Sequence, residues 1–271
     1  MSIKELVEAS GEELKFVRRS FEIIGDIAIV EIPEEVIHLK DKIISAILSK
    51  HKHIKTVLRK VGKVEGEFRV AKFEIIYGSE TETIAREHGC RFLVDPTKVY
   101  YTSKLSGERE RIARLVRDGE RILVMFAGVG PYAIVIAKLS RPSEVLGIEL
   151  NSKACEYFRK NIELNKVKNV KVLEGDVKDV VPKLEGEFDR IIMPAPQSAE
   201  KFVHLLPGKV KVGTWVHYYT FESENKEKKL PEKVKELFKE HGMEVELKNI
   251  RKCGSFAPYV NRYVLDLEVK N

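Results

Sequence analysis

The hexapeptide Phe126-Ala127-Gly128-Val129-Gly130-Pro131 follows an apolar run and precedes a helical segment, Tyr132 to Leu139. Its glycines let a backbone turn sharply against a ligand, because no Cβ blocks the approach. Many α/β turns need glycine for geometry alone, so the pair gains meaning only from the acids further along the chain. Glu149 ends the next apolar run about 20 residues on, where a carboxylate can accept both hydroxyls of a ribose. Asp176, in Gly175-Asp176-Val177, comes after the run Val170 to Leu173, where an acid can accept from the amino group of an adenine. Leu150 and Val177 adjoin these acids and are counted with them as cofactor contacts. Taken singly, either acid reads equally well as a solvated loop residue. The ordered set of three strand-end features predicts a nucleoside-containing cofactor.

A dinucleotide would call for a third glycine and a phosphate at the helix N-terminus, whereas Pro131 takes the first helical turn here. A ligand without a pyrophosphate is therefore favoured. S-adenosylmethionine meets that description, and its transfer reaction is a direct displacement governed by alignment of donor and acceptor.

Other chemistries find less support. Cys90, Cys155 and Cys253 are scattered, with no CxxC pair and no clustered histidines, so no disulfide framework or metal site is expected. No apolar run approaches the roughly 18 to 20 residues of a membrane span, and Met-Ser-Ile-Lys-Glu at the start lacks a signal peptide's hydrophobic stretch. A cytoplasmic protein without membrane association, and a monomer, is the expectation. Net charge is +6 with 33% charged residues, a modest basic excess that favours nucleic acid through release of counterions from phosphates. Arg18-Arg19, Arg59-Lys60 and the run Lys104, Arg109, Arg111, Arg114, Arg117 concentrate it before the glycine motif. Glu108 and Glu110 are interleaved in that run, so a solvated helix face is the plainer reading of it.

The elements that must position these residues fall into two sets. From Ser20 to Pro33 a β-branched pattern interrupted by Gly25-Asp26 predicts a strand pair joined by a hairpin turn. Val36, Leu39, Ile43 and Ile47 have helical spacing after Pro33. Short strands are expected at Thr56 to Leu58, Phe73 to Tyr77 and Arg91 to Val94. Residues 1–95 are thus read as a small α/β module. In residues 96–271, a basic amphipathic helix from Gly107 carries Ile112, Leu115 and Val116 on one side. Apolar runs at Arg121 to Phe126, Glu144 to Leu150, Val170 to Leu173, Asp189 to Met193 and Thr214 to Tyr219 alternate with helix-length segments, which predicts a parallel sheet covered on both faces. A helix around Pro231 to His241 and two strands, Glu244 to Arg251 and Arg262 to Val269, finish the chain. His217, Tyr218 and Tyr219 are expected to pack rather than react, and Ser255 to Tyr259 reads as a loop or as a border of the site.

These residues resemble the archaeal-eukaryotic tRNA (guanine-37, N1)-methyltransferases and their wyosine-pathway relatives. The resemblance is carried by Arg19 to Val30, Phe68-Arg69-Val70, Val99-Tyr100-Tyr101, Glu108-Arg109, Met125 to Pro131, Ile148 to Asn151, Asn161 to Lys166, Gly175 to Val177 and Ser255 to Pro258. It implies an α/β, class I (Rossmann-like) methyltransferase domain with a mostly parallel seven-stranded sheet, preceded by a smaller α/β module that binds the anticodon stem-loop of tRNA. It also implies that Tyr100 and Phe126 to Gly130 embrace the methionine part of S-adenosylmethionine, with Glu149 on the ribose and Asp176 near the adenine. Glu108 is implied as general base for guanine N1, with Arg69 and Arg109 positioning the flipped-out base or its phosphates. A carboxylate suits that task, since guanine N1 is a poor nucleophile until its proton leaves. The plain alternative is that Glu108 and Arg109 pair on a helix surface.

Two departures bear on substrate choice. Pro194-Ala195-Pro196 stands where the N1-methyltransferases usually carry Asn-x-Pro, as in archaeal enzymes that also methylate a tricyclic wyosine precursor. Proline keeps a stiff turn but removes a side-chain donor. The family's additional N-terminal docking domain is expected to be absent, because only about 20 residues precede the matching region. Alternatives are a sister enzyme moving the 3-amino-3-carboxypropyl group of the same cofactor, and a non-catalytic RNA-binding protein on the same fold, since fold alone never proves activity.

Overall fold

The computed structural model describes Val7 and residues 11–17, 21–62 and 71–271. Arg18-Arg19 and Phe68-Arg69-Val70 lie outside the described residues. The chain divides into two compact units, Met1–Ser103 and Lys104–Asn271.

In the first unit a short helix α1 (Glu13–Phe16) precedes the hairpin β1 (Glu22–Ile24) and β2 (Ile27–Val30), paired antiparallel across Gly25-Asp26 as the turn residues predict. Gly25 has φ +57°, and a Cβ there would lie 2.1 Å from the Thr83 hydroxyl oxygen, so the turn needs glycine for backbone and space alike. Helix α2 (Lys40–Lys50) buries Ile43, Ile44 and Ile47 and leads to β3 (Thr56–Val61), parallel to β2, and then antiparallel β4 (Lys72–Tyr77). The helix begins later than its spacing predicts. Residues Glu34–Leu39 form tighter turns instead, broken at Val36 with φ −125°. A separate ribbon pairs β5 (Thr83–Glu87) with β6 (Cys90–Val94). Strand β5 is missing from the sequence-based expectation because its alternation is inverted: Thr83 and Glu87 are buried while Ile84 is exposed.

The second unit holds α3 (Ser106–Leu115), β7 (Arg121–Val124), α4 (Pro131–Leu139), β8 (Glu144–Glu149), α5 (Ser152–Asn165), β9 (Val170–Glu174), α6 (Val177–Val180), β10 (Phe188–Met193), β11 (Val210–Ser223), α7 (Leu230–Glu240), β12 (Val245–Ala257) and β13 (Val260–Val269). They build a seven-stranded sheet of order β12-β13-β11-β10-β7-β8-β9. The pairs β8–β9, β7–β8, β7–β10 and β10–β11 are parallel, whereas β13 runs antiparallel to both β11 and β12. The parallel strands read as apolar runs because both their faces are covered, and Leu123, Ile148, Ile191 and Val216 are fully buried. Strand β11 extends well beyond the predicted Thr214 to Tyr219. Its pairing with β13 continues in register to Ser223↔Val260, where polar residues hide it from pattern reading.

Candidate active site

All the candidate cofactor residues of the second unit leave its sheet at one edge, the C-terminal ends of the parallel strands. The Phe126 to Gly130 turn connects β7 to α4 with two left-handed glycines, Gly128 at φ +58° and Gly130 at φ +85°. A Cβ on Gly130 would sit 2.0 Å from the Phe158 ring, and one on Gly147 would meet the same ring at 2.5 Å. Phe158 therefore packs where side chains are absent, and Asn161 from the same helix donates to the Val129 carbonyl at 3.1 Å. Phe126 also adopts a left-handed φ of +55°, uncommon for a bulky residue, and its ring lies 5.1 Å from that of Phe202. Such a conformation persists only where surroundings enforce it. The Ala127 amide does so in part by donating to Ile148 at 2.7 Å.

Glu149 ties the turn to the next strand end. Its Oε2 accepts the Gly128 amide at 2.7 Å and its Oε1 the Asn151 amide at 2.8 Å. A carboxylate offers about four acceptor positions, so these amides leave room for a hydroxyl donor. Burial raises the Glu149 pKa against the opposing pull of the Asn151, Gly128 and Leu150 amides. Beside it, Leu150 is exposed and Val177 is buried. Asp176 caps α6, its Oδ1 accepting the Lys178 amide at 2.9 Å and its Oδ2 lying 3.0 Å from the Lys178 ammonium. Partial burial pushes its pKa up, but the Lys178 contacts outweigh that and hold it below the ordinary value.

Glu108 lies in the first turn of α3 and is 5% exposed, which excludes a surface pair with Arg109, itself 2% exposed. Arg111 grips the Glu108 carboxylate, and the Tyr219 hydroxyl donates to Oε1 at 2.8 Å. The register Met193↔Tyr218 brings Tyr219 level with Pro194, and the Met125 amide donates to Ile192 at 2.9 Å just before Phe126. Glu108 is thus held at the edge where the glycine turn begins. Tyr132, two residues beyond Gly130, closes the link: its ring is 5.9 Å from Tyr219 and 6.0 Å from the Arg109 guanidinium carbon. Pro194 is half-buried and Pro196 buried, in a turn whose Ala195 carbonyl accepts the Ser198 and Ala199 amides at 3.0 and 2.8 Å.

Behind Glu108 runs a buried polar chain that sequence reading missed. Arg111 also donates to both oxygens of Asp266, at 2.7 and 3.0 Å. Asp266 meets His217 Nδ1 at 2.6 Å, His217 Nε2 meets Arg190 at 2.6 Å, and Arg190 donates to both oxygens of Glu120. A guanidinium only donates, so His217 Nε2 is the acceptor and its proton sits on Nδ1, pointing at Asp266. Burial lowers the His217 pKa despite the Asp266 hydrogen bond, consistent with a neutral ring. Asp266 is held well below the usual carboxylate range by His217 and Arg111, which outweigh its burial. His217 and Tyr219 therefore do more than pack. Among the described residues, Tyr100 belongs to the first unit and is exposed; Arg69 lies outside them.

The glycine turn, the two acids and the strand order with its terminal antiparallel pair define a class I methyltransferase domain. Residues 83–248 match the TRM5/TYW2 methyltransferase domain and residues 3–81 the TYW2 N-terminal domain; the chain belongs to this family. The tRNA (guanine(37)-N(1))-methyltransferase Trm5b of Pyrococcus abyssi is 37% identical over 99% of this chain and 80% of its own length. Its crystal structure superposes with a TM-score of 0.89, 37% identity and coverage of 100% of this chain and 81% of that one. The tRNA(Phe) (4-demethylwyosine(37)-C(7)) aminocarboxypropyltransferase of Pyrococcus horikoshii is 31% identical over 98% of this chain and 94% of its own length. Pyrococcus horikoshii TYW2 in complex with MeSAdo superposes with a TM-score of 0.79 at 29% identity, covering 99% of this chain and 98% of that one.

Proposed function

We propose that this protein methylates N1 of guanosine-37 in tRNA with S-adenosylmethionine, and that the tricyclic wyosine precursor is a second acceptor. The observation that carries the reading is the state of Glu108. Arg111 and Tyr219 fill about three of its four acceptor positions, leaving one on Oε2 for an incoming N–H. S-adenosylmethionine supplies the electrophilic methyl group when bound. Glu149 fits its ribose with the acceptor positions left after Gly128 and Asn151, and Asp176, Leu150 and Val177 serve the adenine. Phe126 to Gly130 hold the methionine part, and Tyr100 is assigned to the same part by family resemblance.

In this reading Glu108 takes the proton from guanine N1, and the electron pair left on N1 is the nucleophile. Arg111 and Tyr219 hold the carboxylate in one orientation before the base arrives, so little reorganisation is needed. Arg109 offsets charge developing on the guanine, and the Pro194 to Pro196 turn braces it. Arg69 contacts the base or its phosphates, and the small N-terminal module, read as residues 1–95, binds the anticodon stem-loop. Among the described residues no helix is long and apolar enough to cross a membrane. A monomer acting in the cytoplasm is the state proposed here for a tRNA-modifying enzyme.

Transfer of the 3-amino-3-carboxypropyl group is the second reading, favoured by the match of residues 3–81 to the TYW2 N-terminal domain. Unmodified and wyosine-precursor tRNA incubated with cofactor labelled in the methyl group or in the carboxypropyl chain, followed by nucleoside mass spectrometry, separates the two. Methyl label at guanosine-37 is expected; carboxypropyl label alone would replace the first reading with the second.

A further inference from the structure

Strand β12 carries a row of features that none of the residues above requires. Its register against β13 runs Gly254↔Arg262, Ser255↔Asn261, Ala257↔Val260, which leaves Phe256 as the extra residue of a bulge. Bulges re-aim a side chain and recur beside active sites. Here the Phe256 ring stacks on Phe221, centroids 4.2 Å apart and planes 27° apart, while 52% of the residue stays exposed. The stack covers one face of the Phe256 ring and leaves the remainder open to a flat ligand.

The surroundings specify that ligand. Phe221 pairs with Arg262 across the strands, and the Arg262 guanidinium carbon lies 5.4 Å from the Phe221 ring centroid. Arg262 Nε is buried without a hydrogen-bond partner among the described residues. Arg251, further back along β12, is exposed, and Tyr259, at the hairpin tip, is 80% exposed. An aromatic face with a guanidinium beside it matches a nucleobase with its phosphate: bases stack on Phe and Tyr regardless of sequence, and cations take the backbone. Position agrees as well. Phe221 lies two residues beyond Tyr219 on one strand, hence on the same face, about 7 Å further along. Cys253 is the extra residue of another bulge in β12, between Lys252 and Gly254, and burial and then the Glu108 charge push its thiol up to about 12.

We infer that Phe256, backed by Phe221 with Arg262 beside it, is a stacking platform for an unpaired nucleobase of the RNA substrate next to the modified nucleotide. This rests on the RNA-modifying reading and adds a residue that holds the loop open beside the reaction centre.

The test compares binding of a tRNA transcript to the full chain and to Phe256→Leu, which keeps apolar bulk against Phe221, and Phe256→Tyr, which keeps the ring. Leu should weaken RNA binding by roughly 5- to 100-fold with unchanged melting temperature and S-adenosylmethionine affinity, and Tyr should restore it. An abasic scan of the anticodon loop should reveal one neighbour of position 37 whose loss weakens the unaltered protein by a similar factor and the Leu variant hardly at all. Equal RNA affinity of the Leu variant, or an abasic profile identical in both proteins, overturns the platform while leaving the modifying activity measurable. An unaltered protein that binds no tRNA overturns the RNA-modifying reading and the platform with it.

Discussion

The Tyr219 hydroxyl and the Glu108 carboxylate, 111 positions apart in the chain, meet at 2.8 Å. With Arg111 on the other side, this contact fixes a buried acid in one orientation at the edge of the sheet where the glycine turn starts. Replacing Tyr219 with Phe removes one donor and frees a second acceptor position on Oε1. Turnover should fall by about 10- to 100-fold, the worth of a hydrogen bond to a charged group, with cofactor affinity unchanged. Single-turnover kinetics with calorimetry would show it, and unaltered turnover would reduce Tyr219 to packing.

Glu108→Gln keeps the shape of the side chain but cannot take a proton from guanine N1. Methyl transfer should drop by about 10² to 10⁴ while S-adenosylmethionine binds nearly as before. Full activity in this variant would remove Glu108 from the mechanism.

Glu149 both pins the glycine turn and offers acceptors to a ribose. Glu149→Gln leaves one backbone N–H facing an amide NH₂ and halves the acceptors for the diol. S-adenosylmethionine affinity should weaken by about 10- to 100-fold through loss of one charged hydrogen bond or more. Titration calorimetry on the variant gives the answer directly, and unchanged affinity would place the ribose elsewhere.

Gly130 combines a φ of +85° with a space already filled by Phe158. Gly130→Ala should cost about 3 kcal/mol or more, the sum of left-handed strain and overpacking, read as a lower urea midpoint. A midpoint within error of the unaltered protein would show that Phe158 can move aside.

The chain from Arg111 to Glu120 makes stability depend on pH. His217 has a lowered pKa in the fold, so as pH falls below about 6.5 the unfolded chain takes up a proton that the native protein does not. Stability from this group is therefore present above the unfolded value and is lost as pH falls towards the folded one. Asp266, held low by His217 and Arg111 against its burial, adds a second loss below about 3.9. Unfolding free energy measured from pH 8 to 5 should decline, and the decline between pH 7 and 5 should be shallower in His217→Gln. An equal slope in both proteins would mean that folding leaves the His217 pKa unchanged.

Local chemistry wrote part of this protein into its sequence. The Gly25-Asp26 hairpin, the glycine turn after β7, and the acids after β8 and β9 depend on backbone conformations and strand ends that a few neighbouring residues dictate, and each lies where its spacing predicts. Inverted or polar strands were illegible for the same reason: β5 buries Thr83 and Glu87 instead of its isoleucine, and the far half of β11 exists because β13 pairs with it. Tertiary structure alone decided the company Glu108 keeps. Arg111, Tyr219 and Asp266 come from α3, β11 and β13, and charges that would be solvated in isolated elements become a buried, mutually satisfied chain only once the sheet has brought those strands side by side.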